Sequence, residues 1–186
     1  MKSKYIALLR GINVGGKNPL SMPALKAVFE KASFTEVQTY INSGNIIFSS
    51  QKEGAFELQK TCKKLIQKNF GLDIPVMVIS AVEYTASLKK APSWWGKDSE
   101  SRHDCFFVIL PNAAADIFAQ VGKPNEYEKI ASSGQFIFWS CPRKTFSRTR
   151  WSKIISLPAY GCVTIRNRNT TCRLAEMVRG EENRHV

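Results

Sequence analysis

The densest phosphate-binding chemistry in this chain follows Arg10. Gly11-Ile12-Asn13-Val14-Gly15-Gly16-Lys17 fits G-x-x-x-x-G-K, the opening of a loop whose backbone N–H groups and lysine cradle phosphates. A nucleoside triphosphatase needs Ser or Thr next, to hold magnesium; here Asn18 and Pro19 follow. Its helix should also start at the Gly-Lys pair, whereas the capping residue comes later, at Ser21, with Pro23 in the first turn. These departures argue against such an enzyme. Two readings remain. Gly15 and Gly16 form an anion nest flanked by Arg10 and Lys17, or the glycines serve only a tight turn before the first helix.

The second chemical signal is charge. The 186-residue chain carries a formal +12, and eight cations lie between Cys141 and Ala175, a stretch without Asp or Glu. They are Arg143, Lys144, Arg148, Arg150, Lys153, Arg166, Arg168 and Arg173. A surface of that sign suits nucleic acid, phosphorylated ligands or an anionic membrane, or it is a solvated face that confers solubility. The candidate nucleic-acid contacts are Arg143, Lys144, Arg148, Arg166, Asn167 and Arg168. Trp94, Trp95, Trp139 and Trp151 invite base stacking, but the RNP1 signature of RNA-binding sheets is missing, so core and linker packing is the simpler reading.

Catalytic groupings are not evident. His103 adjoins Asp104 in a strand, where neighbours point to opposite faces, and His185 lies in the tail. The chain has five cysteines, an odd number without C-x-x-C spacing, which argues against disulfides and against zinc. No metal and no cofactor is expected. The cysteines read as thiols in a reducing, cytoplasmic compartment, and no apolar run is long enough for a membrane span.

The elements that must position these residues follow from periodicity. Tyr5 to Leu9 is a continuous apolar run, the pattern of a strand buried on both faces. A helix follows Ser21, with Leu25, Val28 and Phe29 at helical spacing. Val37 to Ile41 and Ile46 to Phe48 are strands joined by the turn Asn42-Ser43-Gly44-Asn45. Phe56 to Phe70 is an amphipathic helix with Leu58, Cys62, Leu65 and Ile66 on one face, and Ile74 to Ile79 is a fourth strand. This is β-α-β-β-α-β, the ferredoxin-like order. Val82 to Lys90 is a short helix and residues 91–102 are a linker. A second β-α-β-β-α-β series follows, with a helix at Arg148 to Ser156, a strand at Cys162 to Ile165, and an extra closing helix at Thr170 to Val178. Ser43 to Phe48 matches Ser133 to Phe138 at four of six positions. The expected fold class is α+β, with two ferredoxin-like halves at residues 1–90 and 103–186.

In such a sheet the first and second strands run the same way, so the loop after strand one meets the hairpin between strands two and three. That gathers Arg10, Asn13, Gly15, Gly16, Lys17 and Asn18 toward Asn42, Ser43 and Asn45 as one anion-binding edge. Asn42 and Asn45 also have a plainer role, supplying the turn with Gly44. In the second half, the fourth strand is expected to end at the equivalent edge. There Asn169 would cap the final helix, and Arg166 and Arg168 would share one side.

Leu8-Leu9-Arg10-Gly11-Ile12-Asn13-Val14-Gly15-Gly16-Lys17-Asn18, with Tyr40-Ile41-Asn42-Ser43-Gly44-Asn45, closely resembles the bacterial family known as domain of unknown function 1697. Thr164 to Thr170 is similar to that family's closing motif. The resemblance implies an α+β fold of ferredoxin-like subdomains and carries no activity or catalytic residue. The chemistry itself favours a module binding RNA or single-stranded nucleic acid. The alternatives are a binder of, or an enzyme acting on, a phosphorylated or nucleotide-like small molecule at the Gly-rich loop, and a protein-interaction module.

Overall fold

A computed structural model describes residues 2–51 and 54–180; His185 lies outside them. The first series runs β1 (Ser3–Leu9), α1 (Met22–Lys31), β2 (Thr35–Tyr40), β3 (Asn45–Ser50), α2 (Ala55–Phe70) and β4 (Val76–Ser80). After α3 (Ala81–Lys89) come β5 (Ser101–Val108), α4 (Ala114–Val121), β6 (Lys129–Ser133), β7 (Phe136–Pro142), β8 (Val163–Asn167) and α5 (Arg168–Arg179). The sheets have strand orders β2-β3-β1-β4 and β6-β7-β5-β8, antiparallel throughout. Both orders are that of the ferredoxin-like fold, so the α+β class and the closing helix stand as expected. The chain divides into two compact units, one made of the residues up to Tyr84 together with those from Leu174 on, the other of Thr85–Arg173. Residues 91–102, expected as a linker, include buried Trp95, whose Nε1 donates to Asp104 O at 3.0 Å, and the first residues of β5.

Local chemistry accounts for the elements of the first unit. Ser21 Oγ accepts the Ala24 amide at 3.4 Å and starts α1, which buries Met22, Leu25 and Phe29. Gly71, left-handed at φ +70°, ends α2 after Leu58, Cys62 and Ile66 have been buried on one face. Phe29, Phe34 and Phe48 pack with ring centroids 4.5–5.6 Å apart. The residues that alternate with the helix-facing ones, Ile6, Leu8, Ile47 and Met77, are buried as well. So are Phe107, Phe136 and Phe138 of the second sheet. Neither sheet therefore offers the open aromatic face on which RNA-binding sheets stack bases.

On β2 the register with β3 shifts between Thr35 and Gln38. Glu36 sits in this bulge at φ +53°, and its carboxylate accepts the Ser49 hydroxyl at 2.6 Å. The β2–β3 turn closes against β1, where Leu9 N donates to Gly44 O at 2.8 Å. Gly44 has φ +79°, and a Cβ there would lie 2.7 Å from Leu9 Cβ, which belongs to a central strand and cannot retreat.

The helix expected at Arg148 to Ser156 is not formed. The chain instead makes 3-10 turns at Arg143–Arg148, Trp151–Ser156 and Pro158–Cys162, broken by extended Thr149. Thr149 interrupts the helix, its hydroxyl donating to Phe146 O at 2.7 Å in competition with helical pairing, and the turn that follows is anchored by Glu128, buried at 7% exposure. Its carboxylate accepts Trp139 Nε1 at 2.7 Å, Arg150 N at 2.8 Å, Trp151 N at 3.1 Å and Asn125 N at 3.2 Å. The amides of Arg150 and Trp151 lie in the first turn of this segment, where N–H groups need an outside partner, and they find it in a residue more than twenty positions upstream.

Two substitutions test these contacts. Gly44→Ala should destabilise the chain by about 2 kcal/mol or more, from left-handed strain plus overpacking. Denaturant unfolding checks it, and wild-type stability would rule out the close approach. Glu128→Gln, which keeps the shape and removes the charge, should cost about 1–3 kcal/mol. An unchanged melting temperature would refute the role given to this carboxylate.

Candidate functional site

The loop after β1 and the β2–β3 turn do meet. Asn13 Nδ2 donates to Asn42 O at 2.9 Å and to Leu20 O at 2.9 Å, while Asn13 Oδ1 accepts Leu20 N at 2.8 Å. Asn18 Nδ2 donates to Gly11 O at 2.9 Å. Asn45 is fully buried and donates to Tyr40 O and Ser43 Oγ, both at 2.9 Å. These amides brace the loop rather than face outward. Gly15 and Gly16 both have positive φ, 56° and 74°, and Lys17 N donates to Val14 O at 3.0 Å. That backbone is a two-residue hairpin turn. Asn13, Gly16, Lys17 and Asn42 line an open concavity of about 490 Å³ with Pro19, Leu20, Met22 and Pro23. Arg10 is half-buried, with its amide donating to Pro75 O at 3.0 Å, and does not line it.

In the second unit the expected placement is reversed. Because β8 runs antiparallel to β5, its end lies at the start of β5, where Asn167 sits opposite Asp104. The loop after β5 and the β6–β7 turn are at the other end of that sheet. The end of β7 also arrives at the start of β5, with Pro142 opposite Ser101. A concavity of about 590 Å³ opens there, lined by Lys97, Arg102, Asp104, Arg143, Asn167, Arg168 and Asn169 among others. Arg143, Asn167 and Arg168 are thus brought together. Lys144 and Arg148 are exposed on the 3-10 turn and do not line it.

Two details differ from the expectation. Arg166 is buried at 8% exposure and donates to Thr164 Oγ1 and Ile165 O at 3.0 and 2.9 Å. Arg168 opens α5 instead of extending the strand, so the two arginines do not share a side. The cap is Asn167, whose Oδ1 accepts Thr170 N at 2.9 Å, and not Asn169. Arg168 crosses Gly96 and stands 5.8 Å from the Trp95 ring centroid.

One wall of the concavity is braced by His103. Its Nδ1 accepts Gly96 N at 3.1 Å, which puts the proton on Nε2, and Nε2 donates to Asp98 O at 2.8 Å. Ser140 Oγ lies 2.6 Å from Nδ1. Asp104 is buried and bonded to Arg102 Nε at 2.6 Å. Desolvation raises its pKa despite that arginine. The carboxyl of Asp98 is lowered, chiefly by its hydrogen bond from Ser101. Burial pushes Cys62 up to about 12 and Cys141 to about 11, so these thiols are poor nucleophiles. Among the described residues no three His, Cys, Asp or Glu side chains cluster to hold a metal, and no helix is long and apolar enough to cross a membrane.

The family model for protein of unknown function (DUF1697) matches residues 1–138. The chain belongs to that family. No curated protein matches it. Among solved structures it is similar to conserved bacterial protein SP0830 from Streptococcus pneumoniae, with 29% sequence identity and a TM-score of 0.85. The match covers 96% of this chain and 99% of that one. The run Thr164 to Thr170 lies beyond the residues that the family model matches.

Lys97, Arg102 and Asn169 also line the cationic concavity, and only Asn169 stood out in the sequence. Strand pairing is the signal that finds Arg102, since the first residues of β5 must lie near the end of β8. Lys97 sits in an irregular turn and leaves no such signal. Asp104 gives a pH test. Its raised folded pKa means the folded chain keeps this proton to higher pH than the unfolded chain. Its share of stability is therefore lost as pH rises from the ordinary value of 3.8 through the raised one. Asp104→Asn should gain stability relative to wild type across that window and hold a constant difference above it. Thermal unfolding over a pH series checks this, and parallel profiles would refute it.

Proposed function

We propose that this chain is a polyanion-binding module whose ligand is RNA or single-stranded nucleic acid, held by its phosphates at the cationic concavity of the second unit. The observation that carries the reading is the convergence of Lys97, Arg143 and Arg168 beside Arg102 on one concave surface. Asp104 offsets part of Arg102, and Asp98 adds one negative charge at the rim, so the balance of the lining remains positive. Lys144, Arg148, Arg150 and Lys153, exposed on the neighbouring 3-10 turns, extend the positive field along a strand. Buried sheet faces direct the reading to backbone contacts and away from stacking on a sheet. An odd number of cysteines without C-x-x-C spacing supports a reducing compartment such as the cytoplasm.

Each phosphate neutralised contributes about −0.7 to the log–log salt slope for a single strand. Replacing Lys97 and Arg143 together with Ala should make the slope shallower by about 1.4 and leave the melting temperature unchanged. Fluorescence anisotropy with a labelled oligonucleotide over a salt series measures it. Binding weaker than about millimolar at low salt, or an unaltered slope in the double variant, would overturn the proposal.

A further inference from the structure

The cationic concavity has a neighbour. A second hollow of about 280 Å³ shares Lys97, Asp98 and Ser101 with it, so the 97–101 turn is a common wall. The two hollows differ in chemistry. The larger is lined by four cations and two amides against the carboxylates of Asp98 and Asp104. The smaller is lined by Trp94 and Tyr127, with Glu126, Lys129 and Thr145 around them. Trp94 is the one tryptophan of the described residues that is not buried, since Trp95, Trp139 and Trp151 are all enclosed in the core. Both Trp94 and Tyr127 are half-buried, anchored but with ring surface left to offer.

Building on the polyanion reading above, we infer that the two hollows together hold one 5′-phosphorylated nucleotide unit, with phosphate in the cationic hollow and base against Trp94 and Tyr127. A nucleotide is the ligand whose parts differ in the same way as the two hollows. Its phosphate needs cations, and its base needs an aromatic wall with polar groups at the edge. The carboxylates of Asp98 and Glu126 accept from a base amino group, and Lys129 donates to a base carbonyl. Arg148 stands 5.8 Å from the Tyr127 ring centroid and adds positive charge on the aromatic side. The common wall is preorganised. His103, its side chain 8% exposed, grips Gly96 through one ring nitrogen and Asp98 through the other. The two hollows therefore keep their spacing before a ligand arrives.

The test is isothermal titration of the full chain at low salt with adenosine 5′-monophosphate, ribose 5-phosphate and inorganic phosphate. The nucleotide should bind about ten-fold or more tighter than ribose 5-phosphate, the increment expected of one stacked base. Trp94→Ala should erase that difference while leaving ribose 5-phosphate affinity unchanged; Trp94→Phe should restore most of it. Arg143→Ala should weaken all three ligands. Equal affinity for the three ligands, or oligonucleotide binding with no measurable binding of the nucleotide, would overturn this inference and leave the polyanion reading standing. Absence of binding to the three ligands and to an oligonucleotide would remove both.

Discussion

The segment after β7 hangs on the carboxylate of Glu128. It gathers a tryptophan side chain and three backbone amides from segments far apart in sequence. A buried carboxylate is tolerable only when donors surround it, and here they do. The consequence reaches the surface. The carboxylate caps the amides of Arg150 and Trp151 at the start of one of the short turns that make up the chain after β7. A continuous helix would have spread Arg148, Arg150 and Lys153 around its circumference. The turns bury Trp151 and Ile154 while leaving all three cations exposed. One internal carboxylate thus anchors the segment that displays these external charges.

Much of the fold was legible in the residues because it depends on local pattern. The unbroken run from Tyr5 to Leu9 announces a strand covered on both faces, and Ser21 with Pro23 announces a helix start. The meeting of Asn13 with Asn42 was legible too, since it needs only that β1 and β2 point the same way. What failed depended on direction or on distant partners. β8 opposes β5, so its end belongs with the beginning of β5, and the cations there line a concavity of their own apart from any hairpin. The anchoring of residues 150 and 151 depends on Glu128, which nothing near residues 148–156 reveals.

The polar residues of the Gly-rich loop teach a related lesson. Asparagines look like ligand-binding groups in a sequence, but a loop without regular structure has many backbone groups to satisfy, and a side-chain amide is the nearest partner. Asn13, Asn18 and Asn45 are each consumed in this way. The Lys17 backbone serves the turn while its side chain is exposed. Type alone did not separate braces from contacts; the number of unsatisfied backbone groups nearby would have come closer. The cationic hollow of the second unit is the converse case. Its members come from a turn, two strand ends and a helix start, and no short motif spans them.

The bulge at Glu36 bears on how this protein behaves in company. β2 is an edge strand of its sheet, and edge strands are templates on which a second chain can lay a strand of its own. With the register broken between Thr35 and Gln38, only Gln38 to Tyr40 pair with β3 as an unbroken ladder. So short a run is too little to hold an incoming strand, and the kink at Glu36 twists the remainder away. An approaching copy also brings the same net charge of +12. The β2 edge is therefore blunted against strand addition by one misaligned residue at the margin of the first sheet.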